Sequence, residues 1–310
     1  MATGYFFPHR HVLGIDQLSP DDISHILRTA KSLKEISARP IKKVPTLRGH
    51  TIINLFFEPS TRTRLSFEIA AKRMSADTFT LSPATSSATK GETLIDTART
   101  LSAMHPDGII LRHSCSGAPH ILARHVNASV INAGDGAHEH PSQALLDMMT
   151  VQEHKGRLHD LKVAIIGDIM HSRVAHSDIE GFTKMGSRVH VFGPSTLMPK
   201  GLVNLGAVVE TSLEDVVRRA DVVMTLRIQK ERQNDPLLPS FREYARHFSI
   251  SKEILSLAKP DALVMHPGPV NRGIELSPEV ADSGQSVILN QVTNGVAVRM
   301  ALLYLVMGNA

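Results

Sequence analysis

The strongest constraint on the fold is a pair of near-continuous apolar runs, residues 52–57 and 163–166, with Asn54 as their single polar member. Such runs are typical of parallel strands that are buried on both faces. Six further short apolar runs follow along the chain, and segments with helical periodicity separate them. Alternation of strands and helices predicts an α/β protein with parallel sheets. The eight predicted strands are 51–57, 78–81, 108–111, 129–132, 162–166, 188–192, 222–225 and 262–265.

The helical segments also mark where one domain ends and the next begins. Helices are predicted over 21–37, from near Glu92, after Pro141, and over 291–307; proline is favoured in a first helical turn. The polar stretch 153–160 is the best candidate for a boundary between domains. We therefore expect two domains, 1–150 and 151–290, with the terminal helix 291–310 packing back on the first.

Composition excludes several classes of protein. The chain has 310 residues, of which 42% are hydrophobic, so it can bury two medium-sized cores. No apolar run approaches the roughly 20 residues that cross a membrane, and no signal peptide is recognisable. The single cysteine, Cys115, cannot form an internal disulfide, which fits a cytoplasmic location. The net charge of +4 is spread without a polybasic run, so we expect no nucleic-acid partner.

Hydroxyl and guanidinium groups crowd the end of the first predicted strand, in the run Ser60-Thr61-Arg62-Thr63-Arg64. A helix is predicted to follow over 65–74, and a helix N-terminus presents unpaired N–H groups that attract anions. Arginine binds phosphate oxygens in a bidentate manner. The alternative is a capped helix with solvated arginines, but two arginines and three hydroxyls favour a phosphate site. A Walker A loop is excluded because the glycines and the Gly-Lys-Ser/Thr ending are missing.

Three motifs together resemble those of the aspartate/ornithine carbamoyltransferase family. They are Phe57-Glu58-Pro59-Ser60-Thr61-Arg62-Thr63-Arg64 with Ser66-Phe67-Glu68, His140-Pro141-x-Gln143, and His266-Pro267-Gly268-Pro269. The resemblance implies two α/β domains, each a parallel sheet flanked by helices, with the active site in the interdomain cleft. It further implies that the first domain binds carbamoyl phosphate and the second an amino-acid acceptor, and it implies no cofactor.

The resemblance also assigns roles to single residues. It implies that carbamoyl phosphate is bound by Ser60, Thr61, Arg62, Thr63, Arg112, His140, Gln143, Pro267 and Gly268, together with Ser86 and Lys90. Thr63, Arg112 and His140 would be catalytic, because donors at the carbonyl oxygen stabilise the charge that grows there. Considered without the other motifs, the loop that contains Ser86 and Lys90 is typical of a solvated linker. In the family it reaches a neighbouring subunit, which implies a homotrimer with shared active sites.

The acceptor is expected to be L-aspartate. The run Arg227-x-Gln229-x-x-Arg232 resembles the aspartate-binding loop of the family's aspartate enzymes, and the resemblance adds Lys90 and Arg173 to this pocket. An ornithine side chain would bring its ammonium group beside Arg227, where like charges repel. The expected reaction is direct transfer of the carbamoyl group to the aspartate amine, a step of pyrimidine biosynthesis.

Other interpretations remain open at this point. A different amine, ornithine first, could be the acceptor, and a non-catalytic anion-binding or nucleic-acid-binding protein is the rival from another class. His138 and His140 could form a metal pair, but with 17 histidines, one cysteine and no His-Glu-x-x-His motif we expect no metal. The sequence does not decide whether a regulatory chain or a dihydroorotase associates with the chain.

Overall fold

The computed structural model describes residues 5–81, 92–229 and 240–308. Within these ranges the chain forms nine strands, all in parallel pairs. They are β1 (Thr51–Phe56), β2 (Asp77–Leu81), β3 (Gly108–His113), β4 (Ser129–Asp135), β5 (Lys162–Ile166), β6 (Arg188–Phe192), β7 (Ala207–Val209), β8 (Val222–Thr225) and β9 (Leu263–Met265). The α-helices of the same ranges are α1 (Pro20–Lys34), α2 (Thr61–Arg73), α3 (Leu94–Ser102), α4 (Ala118–Ala123), α5 (Pro141–Lys155), α6 (Arg173–Lys184), α7 (Leu213–Arg219), α8 (Phe241–Phe248), α9 (Lys252–Leu255), α10 (Pro278–Ala281) and α11 (Ile288–Met307).

The strands form two sheets, in the orders β2-β1-β3-β4 and β7-β6-β5-β8-β9. All eight predicted strands are present, and the predicted α/β class with two parallel sheets is confirmed. The strand that the sequence did not predict is β7, which has three residues and lies at a sheet edge. Its apolar run, Ala207-Val208-Val209, has only three residues, which is too short to identify a strand from sequence alone.

The described residues form two compact units, divided as Met1–Leu146 with Thr293–Ala310, and Asp147–Val292. The divisions fall within α5 and α11. Each unit has its own apolar core. In the first unit the core includes Leu55, Ile109, Leu111, Leu122 and Val130. In the second it includes Ala164, Ile166, Val217, Val223 and Val264.

Local sequence explains why the main helices begin where they do. Ser19 caps α1 and forms a capping box with Asp22, and Pro20 occupies the first turn. Thr93 caps α3, Ser172 caps α6, and α5 begins at Pro141. Because the strands are parallel, the residues that follow them emerge at one edge of each sheet, which is where α/β proteins bind ligands.

Candidate functional site

The first site segment joins β1 to α2. The helix begins at Thr61, earlier than the predicted start at residue 65, so Thr61, Arg62 and Thr63 occupy its first turn. Ser60 is the N-cap residue, yet its side chain makes no capping hydrogen bond. Arg62 is exposed while Thr63 is buried. The segment therefore offers a hydroxyl, a guanidinium group and the first N–H groups of a helix to an anion.

Arg112 lies beside this segment, near the end of β3. Strands β1 and β3 are paired, with Phe56 opposite Arg112. The Arg112 side chain donates from Nη1 to the Ala133 carbonyl oxygen at 3.2 Å, and its Nε lies 3.3 Å from Glu58 Oε2. These contacts fix the guanidinium group between the ends of β1 and β4.

His140 and Gln143 come from the loop after β4 and the first turn of α5. Both side chains are buried, and the Gln143 N–H donates to the His140 carbonyl oxygen at 2.9 Å. Strand β4 pairs with β3, which pairs with β1. The parallel order therefore brings Ser60–Thr63, Arg112 and His140 to the same edge of the first sheet.

In the second unit, the loop after β5 is organised by Asp168, which is fully buried. Its Oδ1 accepts from the backbone N–H and from Nδ1 of His171, at 3.2 and 2.9 Å. Its Oδ2 accepts from the Gln229 N–H at 3.2 Å, so one carboxylate joins the loops after β5 and β8. Arg173 follows in this loop as the first residue of α6, and only 2% of it is exposed.

Arg227 and Gln229 follow β8, the strand paired with β5. Arg227 Nη2 donates to Gln229 Oε1 at 3.1 Å. Gly167 lets this loop approach closely: it has φ of +134°, and a Cβ there would lie 2.9 Å from the Leu226 carbonyl oxygen. The structure therefore brings three of the predicted aspartate-binding residues, Arg173, Arg227 and Gln229, to the ends of two neighbouring strands.

Pro267 and Gly268 follow β9 in a loop that a buried pair supports. The Gly268 N–H donates to His266 Nδ1 at 2.7 Å, so Nε2 carries the proton and donates to Glu275 Oε1 at 3.1 Å. The Asn271 N–H donates to the same carboxylate oxygen. His266 and Glu275 thus hold the backbone that the sequence predicted to contact the carbamoyl group.

Three predicted residues, Ser86, Lys90 and Arg232, lie outside the described residues. Among the residues that are described, no group of three or more histidine, cysteine or acidic side chains is placed to hold a metal ion. In the same part of the chain, no helix has the length and apolar character needed to span a membrane.

Sequence reasoning missed the buried carboxylates that shape these loops, Asp135 and Asp168. Each follows a glycine with positive φ at the end of a strand, Gly134 and Gly167. The repeated Gly-Asp pair at a strand end was the available signal, because an acidic side chain there faces the N–H groups of the following loop.

The chain matches two family models. One, described as aspartate/ornithine carbamoyltransferase, carbamoyl-P binding domain, matches residues 10–153. The other, described as aspartate/ornithine carbamoyltransferase, Asp/Orn binding domain, matches residues 159–306. The chain is also 64% identical, over 99% of its length and 97% of the relative's, to the aspartate carbamoyltransferase catalytic subunit of Desulfotalea psychrophila.

Two solved structures are similar throughout. Aspartate transcarbamoylase from Trypanosoma cruzi, in complex with N-(phosphonacetyl)-L-aspartic acid, superposes with a TM-score of 0.87 at 32% identity, over 96% of this chain and 95% of that one. Ornithine carbamoyltransferase from Pyrococcus furiosus superposes with a TM-score of 0.87 at 32% identity, over 97% and 98%. The fold is thus equally similar to enzymes named for two different acceptors.

Proposed function

The chain belongs to the aspartate/ornithine carbamoyltransferase family, and we propose that it transfers the carbamoyl group of carbamoyl phosphate to the amine of L-aspartate. The observation that carries the choice of acceptor is the pair of guanidinium groups, Arg173 and Arg227, after the paired strands β5 and β8. Two cations suit an acceptor with two carboxylates and repel the side-chain ammonium of ornithine. The relative at 64% identity, named for aspartate, supports the same choice.

The phosphate group is bound by the segment Ser60–Thr63. Its N–H groups, its hydroxyls and Arg62 supply the donors, and the N-terminus of α2 adds partial positive charge. Thr63, Arg112 and His140 donate to the carbamoyl oxygen, and Gln143 with the Pro267 and Gly268 carbonyl groups holds the carbamoyl NH₂. This assignment gives unit Met1–Leu146 the carbamoyl phosphate and unit Asp147–Val292 the aspartate.

The reaction needs positioning and charge stabilisation more than proton chemistry. The aspartate amine attacks the carbamoyl carbon, the new N–C bond forms, and negative charge grows on the carbonyl oxygen. Each donor aimed at that oxygen is worth about 3–4 kcal/mol in the transition state. The C–O bond to phosphate then breaks, and the departing phosphate takes one proton from the attacking nitrogen. The products are N-carbamoyl-L-aspartate, for pyrimidine biosynthesis, and phosphate.

A single assay tests the proposal. The purified chain is incubated with carbamoyl phosphate and either L-aspartate or L-ornithine, and the ureido product and phosphate are measured together. We expect a ureido product with aspartate and at most a trace with ornithine. Equal or greater turnover of ornithine would refute the choice of acceptor. Absence of product with both amines would refute carbamoyl transfer to either.

We propose further that the chain acts as a homotrimer in which Ser86 and Lys90 complete a neighbour's site. Edge strand β2, which ends five positions before Ser86, exposes Phe79 and Leu81, and α2 exposes Leu65. Apolar side chains on an exposed sheet edge are typical of an interface. Inactive Lys90→Ala and Arg62→Ala chains, mixed and allowed to exchange, should regain part of the activity, because some sites then receive both intact residues. Verified exchange without recovery would show that each chain is self-sufficient.

A further inference from the structure

The segment 134–140 contains residues that the proposed reaction leaves without a role. Asp135 is the last residue of β4, and its side chain is fully buried. His138 lies in the loop that follows, with 47% of its side chain exposed. His140, the proposed catalytic residue, ends the same loop. A buried carboxylate at this point needs an explanation, because burying an unpaired charge is costly.

The Asp135 carboxylate accepts four hydrogen bonds. Oδ1 accepts from Asn132 Nδ2 at 2.8 Å and from the Glu139 N–H at 3.1 Å. Oδ2 accepts from the Gly117 N–H at 2.6 Å and from His138 Nδ1 at 3.1 Å. The donors come from three segments of the first unit: the loop after β3, strand β4 itself, and the loop after β4. Both oxygens are therefore fully used in connecting these segments.

Backbone contacts place the proposed catalytic groups on the same segments. The Gly136 N–H donates to the carbonyl oxygen of His113, the residue after Arg112, at 2.9 Å. Arg112 donates back to the Ala133 carbonyl oxygen at 3.2 Å. The Asp135 N–H donates to the Glu139 carbonyl oxygen at 3.1 Å and closes the turn directly before His140.

We propose that Asp135 is a positioning residue: its carboxylate fixes the loop that ends at His140 against the end of β3, and so sets the placement of His140 relative to Arg112. The inference rests on the proposed function, because its consequence is carbamoyl transfer. Asp135 itself contacts loop donors and takes no part in binding the substrate. Displacing a catalytic group by about 1 Å can cost on the order of 10²-fold in rate.

A carboxylate is required here because four donors face two oxygens. An asparagine has one carbonyl oxygen, which can accept two of the four hydrogen bonds. Whichever way its amide is turned, the NH₂ group faces at least one backbone N–H, from Gly117 or from Glu139. Two N–H groups directed at each other leave a buried donor unsatisfied and push the loop away.

The charges around the carboxylate agree with this arrangement. Burial raises the pKa of Asp135, but the hydrogen bonds from His138, Asn132 and Gly117 outweigh it and hold the pKa below its usual value. The hydrogen bond to Asp135 in turn raises the pKa of His138 despite partial burial, with smaller contributions from Glu139 and Asp16. The pKa of His138 is thus a spectroscopic reporter of the contact.

The test is the variant Asp135→Asn, first compared with the wild-type chain in the aspartate assay. We expect kcat to fall on the order of 10²-fold. The dissociation constant for inorganic phosphate, measured by calorimetry, should stay within about threefold, because the Ser60–Thr63 segment is untouched. The NMR titration midpoint of His138 should move to lower pH because the carboxylate is lost.

Asp22→Asn is the matched control, because Asp22 is another buried carboxylate of the first unit that accepts from Ser19, Tyr5 and His9. It should destabilise the chain while leaving kcat within about twofold. Equal loss of kcat in both variants would show that Asp135 is only structural, and an unchanged kcat in Asp135→Asn would also overturn the inference. A wild-type chain that forms no carbamoyl-aspartate would refute the proposed function, and this inference with it.

A second variant serves if Asp135→Asn does not fold. His138→Ala removes one of the four donors from a position that is half exposed, so the fold should tolerate it. We expect kcat to fall several-fold with phosphate binding unchanged. A wild-type kcat in this folded variant would overturn the inference when Asp135→Asn cannot be measured.

Discussion

The buried carboxylate of Asp22 should make the first unit sensitive to acid. Burial raises its pKa, but hydrogen bonds from Ser19, Tyr5 and His9 lower it from 3.8 to about 2. Because each pKa unit corresponds to about 1.4 kcal/mol, the ionised group stabilises the fold by about 2 kcal/mol at pH 7. The folded-state pKa is depressed, so this stabilisation is complete above the unfolded pKa near 3.8. It is lost as the pH falls towards 2, and about half of it remains at pH 3.

The assay compares Asp22→Asn with the wild-type chain by urea unfolding, followed by circular dichroism, at pH 7 and pH 3. The difference in free energy of unfolding between the two should shrink by about 1 kcal/mol at the lower pH. Asp21→Asn is the control: Asp21 shares the first turn of α1 but is exposed, so its effect should be a few tenths of a kcal/mol. A difference that does not depend on pH, or an equal effect of Asp21→Asn, would refute the reasoning.

Three further predictions concern the site. His140→Ala should lower kcat at least ~10²-fold with an unchanged circular dichroism spectrum, because it removes a donor to the carbonyl oxygen; near-normal turnover would contradict its role. Arg227→Ala should raise the KM for aspartate at least ~10-fold, because one charged hydrogen bond is worth about 1.5–3 kcal/mol, and should leave the phosphate dissociation constant unchanged. Arg219→Ala, at an exposed position of α7, should change neither. Gly167→Ala should lower the free energy of unfolding, measured in urea, by about 1–3 kcal/mol, and by more than Gly156→Ala does. Both glycines have positive φ, but of the two only Gly167 would bring a Cβ against backbone atoms.

Most of the strands could be predicted because strands buried on both faces have continuous apolar runs; β2, with four of its five residues exposed, is an exception. β1 and β5 are buried along nearly their whole length. The buried positions are apolar except for Asn54, whose Nδ2 donates to Thr78 Oγ1 of β2. β7 was not predicted because its apolar run has three residues, fewer than the roughly four to eight that identify a strand from sequence. The start of α2 was predicted too late because polar residues in a first helical turn look the same as a polar loop.

That polar and charged residues follow the ends of the strands could be predicted, but the way the structure holds them could not. Arg227 and Gln229 are two positions apart, and their contact follows from sequence proximity. Asp168 is 61 positions from Gln229, and their hydrogen bond depends on the pairing of β5 with β8, which no local pattern reveals. Contacts of this kind follow from strand order, and strand order is a property of the whole sheet.

The two buried carboxylates also resolve an electrostatic difficulty of such a site. A pocket for a phosphate and a dicarboxylate must keep its guanidinium groups available, yet loops that carry several cations repel one another. Asp135 and Asp168 supply negative charge beneath these loops, and their oxygens accept mainly from backbone N–H, amide and imidazole groups. Their charge therefore offsets the repulsion among the cations of these loops, and Arg62 remains exposed. Removing either carboxylate should consequently disturb the geometry of the site more than its affinity for anions.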